Sequence, residues 1–312
     1  MIYLIITGIV VLLLLIIAFE CVYFYRRTMI RSNVKTERTI KMAGTDWGQH
    51  MDFIGKRKEY MLSLPRKDVY INARDGLKLH GTYFPTGDEK KVVICFHGYT
   101  SEGMKGYIAL SEYYSKKGFS LLLPDARAHG KSDGKYIGFG CLDRFDALEW
   151  IKYIITTLGE DVQILLHGTS MGGATVLMTS GLELPKQVKG IVSDCAFTSP
   201  KYVFTHVLHS MYHLPAFPLI QITSAVNKRK AGFSMDECNA AREVTKAKVP
   251  ILFIHGDADT FVPYSMCEEI YENCKSPKKK LIIKGAAHAE SYYKDTKAYE
   301  DALNDFIGSC IK

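Results

Sequence analysis

Three short segments carry the residue types of nucleophilic acyl chemistry. The first is His167-Gly168-Thr169-Ser170-Met171-Gly172-Gly173, which contains a G-x-S-x-G pattern. With each fixed residue at roughly 7% of ordinary sequence, the pattern arises by chance in about one chain in ten of this length. Its setting is more telling: an apolar run at 162–166 precedes it, and a helical pattern begins at Met171. A tight strand-to-helix turn needs small residues beside a nucleophile. It lifts the hydroxyl over a helix N-terminus, whose free N–H groups favour negative charge. A serine hydroxyl needs a base to become a nucleophile at neutral pH. His288, in Gly285-Ala286-Ala287-His288-Ala289-Glu290-Ser291, follows the last apolar run and supplies one. The base needs an orienting acid, and His255-Gly256-Asp257-Ala258-Asp259-Thr260-Phe261-Val262-Pro263 offers two, Asp257 and Asp259. Backbone N–H groups should hold the oxyanion. One is that of Met171, just after the nucleophile. The other is that of Tyr99, in Phe96-His97-Gly98-Tyr99, where Gly98 allows a close turn.

These residues must be gathered by one scaffold. Residues 68–73 and 77–84 read as strands joined at Asp75-Gly76, a hairpin signal. Residues 91–96 are apolar without alternation, as in a strand buried on both faces. Further strands are expected at 119–123, 162–166, 188–193, 251–254 and 280–283. Helices are expected at 101–117, 142–157, from 171, at 264–274 and at 292–307. Strands alternating with helices imply an α/β architecture, a mainly parallel sheet with helices on both faces and ligands at the carboxyl strand ends. Residues 197–248 are too long for a plain connection and are expected to form a helical lid, broken into two helices by Pro215 and Pro218. Its apolar content makes Phe204, Leu208 and Phe217 candidates for substrate contact.

The order Ser, Asp, His is that of the α/β-hydrolase fold and not of the chymotrypsin or subtilisin folds. The chain resembles bacterial membrane-anchored α/β-hydrolases and the serine aminopeptidase/monoglyceride-lipase-like branch. It is also similar to animal membrane-anchored hydrolases of acylated proteins or lipids. The likeness spans about residues 68–307 and rests on His97-Gly98, the segment from Asp125 to Ser132, the G-x-S-x-G segment, and the segments around Asp259 and His288. It implies that Asp259, three residues before the Val-Pro step, is the acid, leaving Asp257 to brace its loop. Ala128 and Ala287 stand where relatives usually have Gly. The implied activity is a serine hydrolase cleaving carboxylic (thio)esters through Ser170, His288 and Asp259, with no cofactor and no metal. A serine peptidase of the same fold would predict a propeller or an amine-binding acidic cluster, and neither is seen. A non-catalytic membrane scaffold would predict a broken triad.

The other histidines have structural readings. His97 supports the oxyanion loop, His129 braces residues 125–132, and His167 and His255 pack at strand ends. His206, His209 and His213 share one face of a lid helix, but Tyr202 continues that stripe and no acid lies near, so an amphipathic face outweighs a metal site.

The 312 residues, 47% hydrophobic and 23% charged, exclude a largely disordered chain. The net charge of +7 would suggest nucleic acid were it spread out. However, residues 1–41 hold +4 of it, with Arg26, Arg27, Arg31, Lys35, Arg38 and Lys41 against Glu20 and Glu37. Residues 2–25 carry a single acid and as a helix span roughly 36 Å, enough to cross a bilayer. No basic n-region precedes this run, and bulky Tyr23, Phe24 and Tyr25 end it, which favours an uncleaved anchor over a signal peptide. Basic residues only on its C-terminal side put the domain in the cytoplasm, and the basic run suits anionic headgroups. Eight scattered cysteines without a CxxC pair fit reduced, buried thiols. The expected organisation is an anchor (1–25), a basic linker (26–66) and a hydrolase domain (67–312). The partners are the membrane and a small-molecule or lipid acyl ester.

Overall fold

Continuous apolar runs become the inner strands. Val92, Val93, Ile94 and Cys95 are all fully buried, with alternate side chains on opposite faces. A computed structural model describes residues 1–31 and 45–312, so Lys35, Glu37, Arg38 and Lys41 of the basic run lie outside the described residues. Among the described residues there are eight strands: β1 (Lys67–Asn72), β2 (Lys78–Phe84), β3 (Asp88–Phe96), β4 (Phe119–Pro124), β5 (Gln163–Thr169), β6 (Val188–Asp194), β7 (Ile251–Gly256) and β8 (Lys278–Ile283). They form one sheet in the order β1-β2-β4-β3-β5-β6-β7-β8. The pairs β1–β2 and β2–β4 are antiparallel and the rest parallel, so β3 to β8 bring their carboxyl ends to one edge.

The helices are α1 (Ile2–Thr28), α2 (Met51–Ser63), α3 (Gly103–Gly106), α4 (Ile108–Lys116), α5 (Asp143–Leu158), α6 (Met171–Thr179), α7 (Pro200–Tyr212), α8 (Leu219–Ala231), α9 (Ala240–Glu243), α10 (Tyr264–Asn273), α11 (Ser291–Lys294) and α12 (Thr296–Cys310). On one face of the sheet Trp150, Ile151 and Leu177 of α5 and α6 cover Val92, Ile94 and Leu166. On the other, Tyr114 of α4 and Leu303 and Phe306 of α12 cover Val93, Cys95 and Leu165. Each such fully buried side chain is worth about 1.5–3 kcal/mol against exposure.

Two departures from the sequence reading have local causes. The helix expected over 101–117 is broken at Tyr107, whose hydroxyl donates to His167 O at 2.8 Å and pins the break to the sheet. The last helix is interrupted at Asp295, whose side chain caps α12 by accepting from Ala298 N–H at 2.9 Å. The polar stretch up to about Leu64, whose pattern already suggests a helix, holds α2, which packs on α4 with Met61 buried. Between β6 and β7, α7 begins at Ser199, whose hydroxyl accepts from Tyr202 N–H, with Pro200 at the first helical position. It ends at His213 in a left-handed conformation, and α8 starts after Pro218.

The apolar helix α1 is two things in succession. No side chain from Ile2 to Phe19 is buried, whereas Cys21, Phe24, Tyr25 and Met29 belong to the main core. Its end packs on α8, and beyond it Ile30 forms an antiparallel bridge with Tyr136. The Arg31 guanidinium donates to Ser132 O and Gly130 O.

Candidate active site

β5 runs directly into α6, and Ser170 occupies the turn at φ 56° and ψ −114°. A non-glycine residue there stores about 1–3 kcal/mol of strain. The surrounding glycines are obligatory. A Cβ at Gly168 would stand 2.1 Å from Gly172 O, and one at Gly172 would stand 1.8 Å from Phe96 O. Ser170 N–H donates to Asp194 O at 2.8 Å, tying the turn to the end of β6.

The loops after β7 and β8 bring two more predicted residues to it. His288 Nε2 lies 2.9 Å from Ser170 Oγ, and His288 Nδ1 lies 2.7 Å from Asp259 Oδ2. All three residues are buried. The other oxygen of Asp259 accepts from the N–H groups of Phe261 at 3.0 Å and Val262 at 2.8 Å. Burial opposes the charge of this carboxyl, but His288 and His255 hold it below the usual carboxylate range. An ionised Asp259 requires Nδ1–H on His288, which leaves Nε2 free to accept from the serine hydroxyl. Asp257 is not brought there. It is exposed and accepts from Gly285 N–H at 2.6 Å, a loop-bracing contact.

His255 is a second imidazole behind the acid. Its Nε2 donates to Val262 O at 2.9 Å and lies 3.4 Å from Asp259 Oδ2. Burial disfavours its charge, but the Asp259 carboxylate beside it carries its pKa up to about 10.

Gly98 closes the opposite side, for a Cβ there would touch Ser170 Cβ at 3.4 Å. His97 Nε2 accepts from Ala126 N–H at 3.0 Å, so its Nδ1–H donates to Gly98 O at 2.7 Å. This neutral form agrees with a pKa lowered by burial. Tyr99 follows, its hydroxyl donating to Arg27 O at 3.1 Å. Met171, the other expected oxyanion donor, opens α6 directly after Ser170. His129 donates Nδ1–H to Arg127 O at 3.0 Å, in a loop where Ala128 has φ 62°. That left-handed backbone favours glycine. His167 accepts from the Tyr114 hydroxyl at 2.7 Å, and its Nε2–H faces Tyr299 Oη at 3.2 Å; Tyr299 donates to Asp194 at 3.0 Å.

The lid histidines do not converge on one point. His206 Nε2 meets Thr260 O at 2.8 Å and His209 Nε2 accepts from Ala216 N–H at 3.3 Å. Among the described residues Cys195, Asp259 and His288 have ligand-type atoms within 4.8 Å of one another. Burial pushes the Cys195 thiol well up, which opposes the thiolate that a metal needs.

Over Ser170 lies an apolar cavity of about 90 Å³, open at its mouth. Phe204 and Leu208 line it, but Phe217 does not: it is 72% exposed in the turn between α7 and α8. The reversal of the chain between Pro215 and Pro218 carries Phe217 out to solvent. Sequence reasoning missed Phe139, Phe197 and Phe261, which sit in loops without periodicity, and it missed a wall contributed by α1.

Comparison with known proteins agrees with this fold. A family profile described as alpha/beta hydrolase fold matches residues 91–212, and one described as serine hydrolase (FSH1) matches residues 167–289. The uncharacterized protein YqkD of Bacillus subtilis is 27% identical over 232 residues, 74% of this chain and 76% of that one. The uncharacterized protein YfhR of Escherichia coli K12 is 24% identical over 253 residues, 78% and 81% of the two chains. Among solved structures, the Pyrococcus furiosus esterase Pf2001 superposes with a TM-score of 0.66 at 27% identity, covering 81% of this chain and 95% of that one. The Butyrivibrio proteoclasticus protein Est1E, solved with ferulic acid bound, shares the fold with a TM-score of 0.59 at 22% identity, over 78% and 99% of the two chains.

Proposed function

This chain is an esterase-like serine hydrolase of the α/β-hydrolase superfamily, and from that premise we propose that Ser170, His288 and Asp259 hydrolyse carboxylic (thio)esters through an acyl-enzyme. The observation that carries the reading is the unbroken line Ser170 Oγ, His288 Nε2, His288 Nδ1, Asp259 Oδ2, at 2.9 and 2.7 Å, on the edge where the parallel strands end. Ser170 attacks the acyl carbonyl while His288 Nε2 takes the hydroxyl proton. Asp259 keeps the imidazole in the Nδ1–H tautomer and stabilises its cation. The N–H groups of Tyr99 and Met171 hold the oxyanion. His288 then returns the proton to the leaving alcohol or thiol. The same base activates the water that releases the acid and restores Ser170.

The residues 197–248 act as a lid, with Phe204 and Leu208 in the acyl-binding wall. The helix α1 anchors the chain in the membrane, and the basic flank from Arg26 onward keeps the domain on the cytoplasmic side. A fluorophosphonate probe tests the catalytic reading on intact protein. Stoichiometric labelling of wild type and none of Ser170→Ala is expected, whereas labelling at another residue or none in wild type overturns it.

A further inference from the structure

The helix α1 presents two adjacent stripes where it meets the domain. Cys21, Tyr25 and Met29, spaced four apart, are buried in the main core. Glu20, Tyr23, Phe24, Arg27 and Thr28, at the i, i+3, i+4, i+7, i+8 spacing of one helical face, line the cavity that holds Ser170. Phe24 meets Phe204 edge to face at 5.7 Å, and Phe204 meets Phe139 at 5.0 Å, so α1, α7 and the loop before α5 form one continuous apolar lining. The Tyr99 hydroxyl donates to Arg27 O at 3.1 Å and Thr28 O at 3.3 Å, joining the expected oxyanion loop to the same helix end.

The position of this wall along α1 is informative. The unburied apolar part, residues 2–19, is roughly 27 Å long at 1.5 Å per residue, close to the ~30 Å hydrocarbon core of a bilayer. Glu20 to Thr28 then fall at the headgroup level. The ester bonds of membrane lipids lie at that level, with their acyl chains running down beside the unburied part of the helix.

We propose that α1 from Glu20 to Thr28 is one wall of the substrate site, and that the substrate is a membrane-resident amphiphile whose long acyl chain reaches Ser170 along this helix from the bilayer. The proposal rests on the anchored serine-hydrolase reading above and adds to it the substrate class and its route of entry. Tyr23 and Phe24 are specificity-determining contacts, not catalytic residues.

The test uses the full chain in phosphatidylcholine–phosphatidylglycerol vesicles. A hexadecyl fluorophosphonate carrying a diazirine within its chain is attached to the protein, photolysed, and its second attachment mapped by mass spectrometry. Adducts on Tyr23, Phe24 or Thr28 are expected. Attachment at Ser170 with photo-adducts confined to α7 and α8 overturns this proposal and leaves the hydrolase standing. No attachment at Ser170 overturns both. A kinetic arm compares sixteen-carbon with four-carbon glycerol esters. Phe24→Ala and Tyr23→Ala are each expected to lower the sixteen- to four-carbon ratio of kcat/KM about fivefold, the loss of roughly one buried methylene's worth of apolar contact. The control Leu13→Ala, on the lipid-facing stretch, is expected to keep the wild-type ratio. Tyr23 is half exposed, so its variant decides the matter even where Phe24→Ala disturbs folding. An unchanged ratio in Tyr23→Ala overturns the proposal.

Discussion

Asp257 and Asp259 stand two positions apart and are held in different ways. Two backbone N–H groups clamp one oxygen of Asp259 and aim the other at His288, while Asp257 braces Gly285 from the surface. The expected outcome is that Asp259→Asn lowers kcat by several orders of magnitude, as loss of a triad acid does through the wrong imidazole tautomer. Asp257→Asn is expected to stay within about threefold of wild type, a surface-level effect. Ser170→Ala and His288→Ala are expected to be about equally complete, because the triad acts as one unit. Steady-state ester hydrolysis measures all four, and a reversal of the two aspartates would reassign the acid. A second expectation concerns acid stability. Burial carries His129 and His167 from their ordinary value of 6.5 down to about 3. The unfolded chain therefore takes up protons between those values that the native chain refuses, and stability falls as pH falls through that window. Each histidine contributes about 1.4 kcal/mol per pH unit of slope there. Replacement by Gln, His129→Gln first, is expected to remove one such slope from urea midpoints measured between pH 6 and 4. A slope equal to wild type would show that His129 is not held neutral. At this scale sequence legibility was high for Ser170 and His288, each isolated in its segment. The residues alone left the two aspartates open and only the family resemblance pointed to Asp259, because the choice depends on which carboxylate Phe261 and Val262 clamp.

At the turn between β5 and α6, space rather than propensity dictates the residues. Gly172→Ala drives a methyl into Phe96 O, so it is expected to destabilise the chain by about 3 kcal/mol, at the upper end for overpacking. Gly308→Ala, inside α12 with nothing within 4 Å of the added carbon, is expected to stabilise by about 0.5–1 kcal/mol. Thermal midpoints of the two variants separate a steric requirement from mere backbone freedom. Most elements were legible in the sequence because the inner strands are unbroken apolar runs flanked by glycines. The breaks at Tyr107 and Asp295 were not, since they come from a long-range contact to His167 O and from a local cap. The cavity-facing stripe of α1 was hidden for a different reason. Residues 20–28 mix aromatic and charged side chains at the end of an apolar run, so their pattern reads as an interfacial flank and does not mark a cavity-facing side.

At the scale of the whole molecule, the charge asymmetry around α1 predicts the side on which the domain resides. C-terminal fusions to a reporter active only inside the cell and to one active only outside are expected to light the inside reporter alone. Signal from the outside reporter alone would reverse the orientation and leave the chemistry untouched. The same region also bears on how the domain is carried. The bridge between Ile30 and Tyr136, the Arg31 clasp and the buried Met29 tie the end of α1 to the hydrolase domain. On the anchored reading proposed above, an enzyme so mounted would work at a set height and tilt above its own leaflet. Its encounters would then be two-dimensional: turnover is expected to follow the mole fraction of ester among the surrounding lipids, and diluting that surface with inert lipid is expected to slow the enzyme even when the total amount of substrate in the tube is constant.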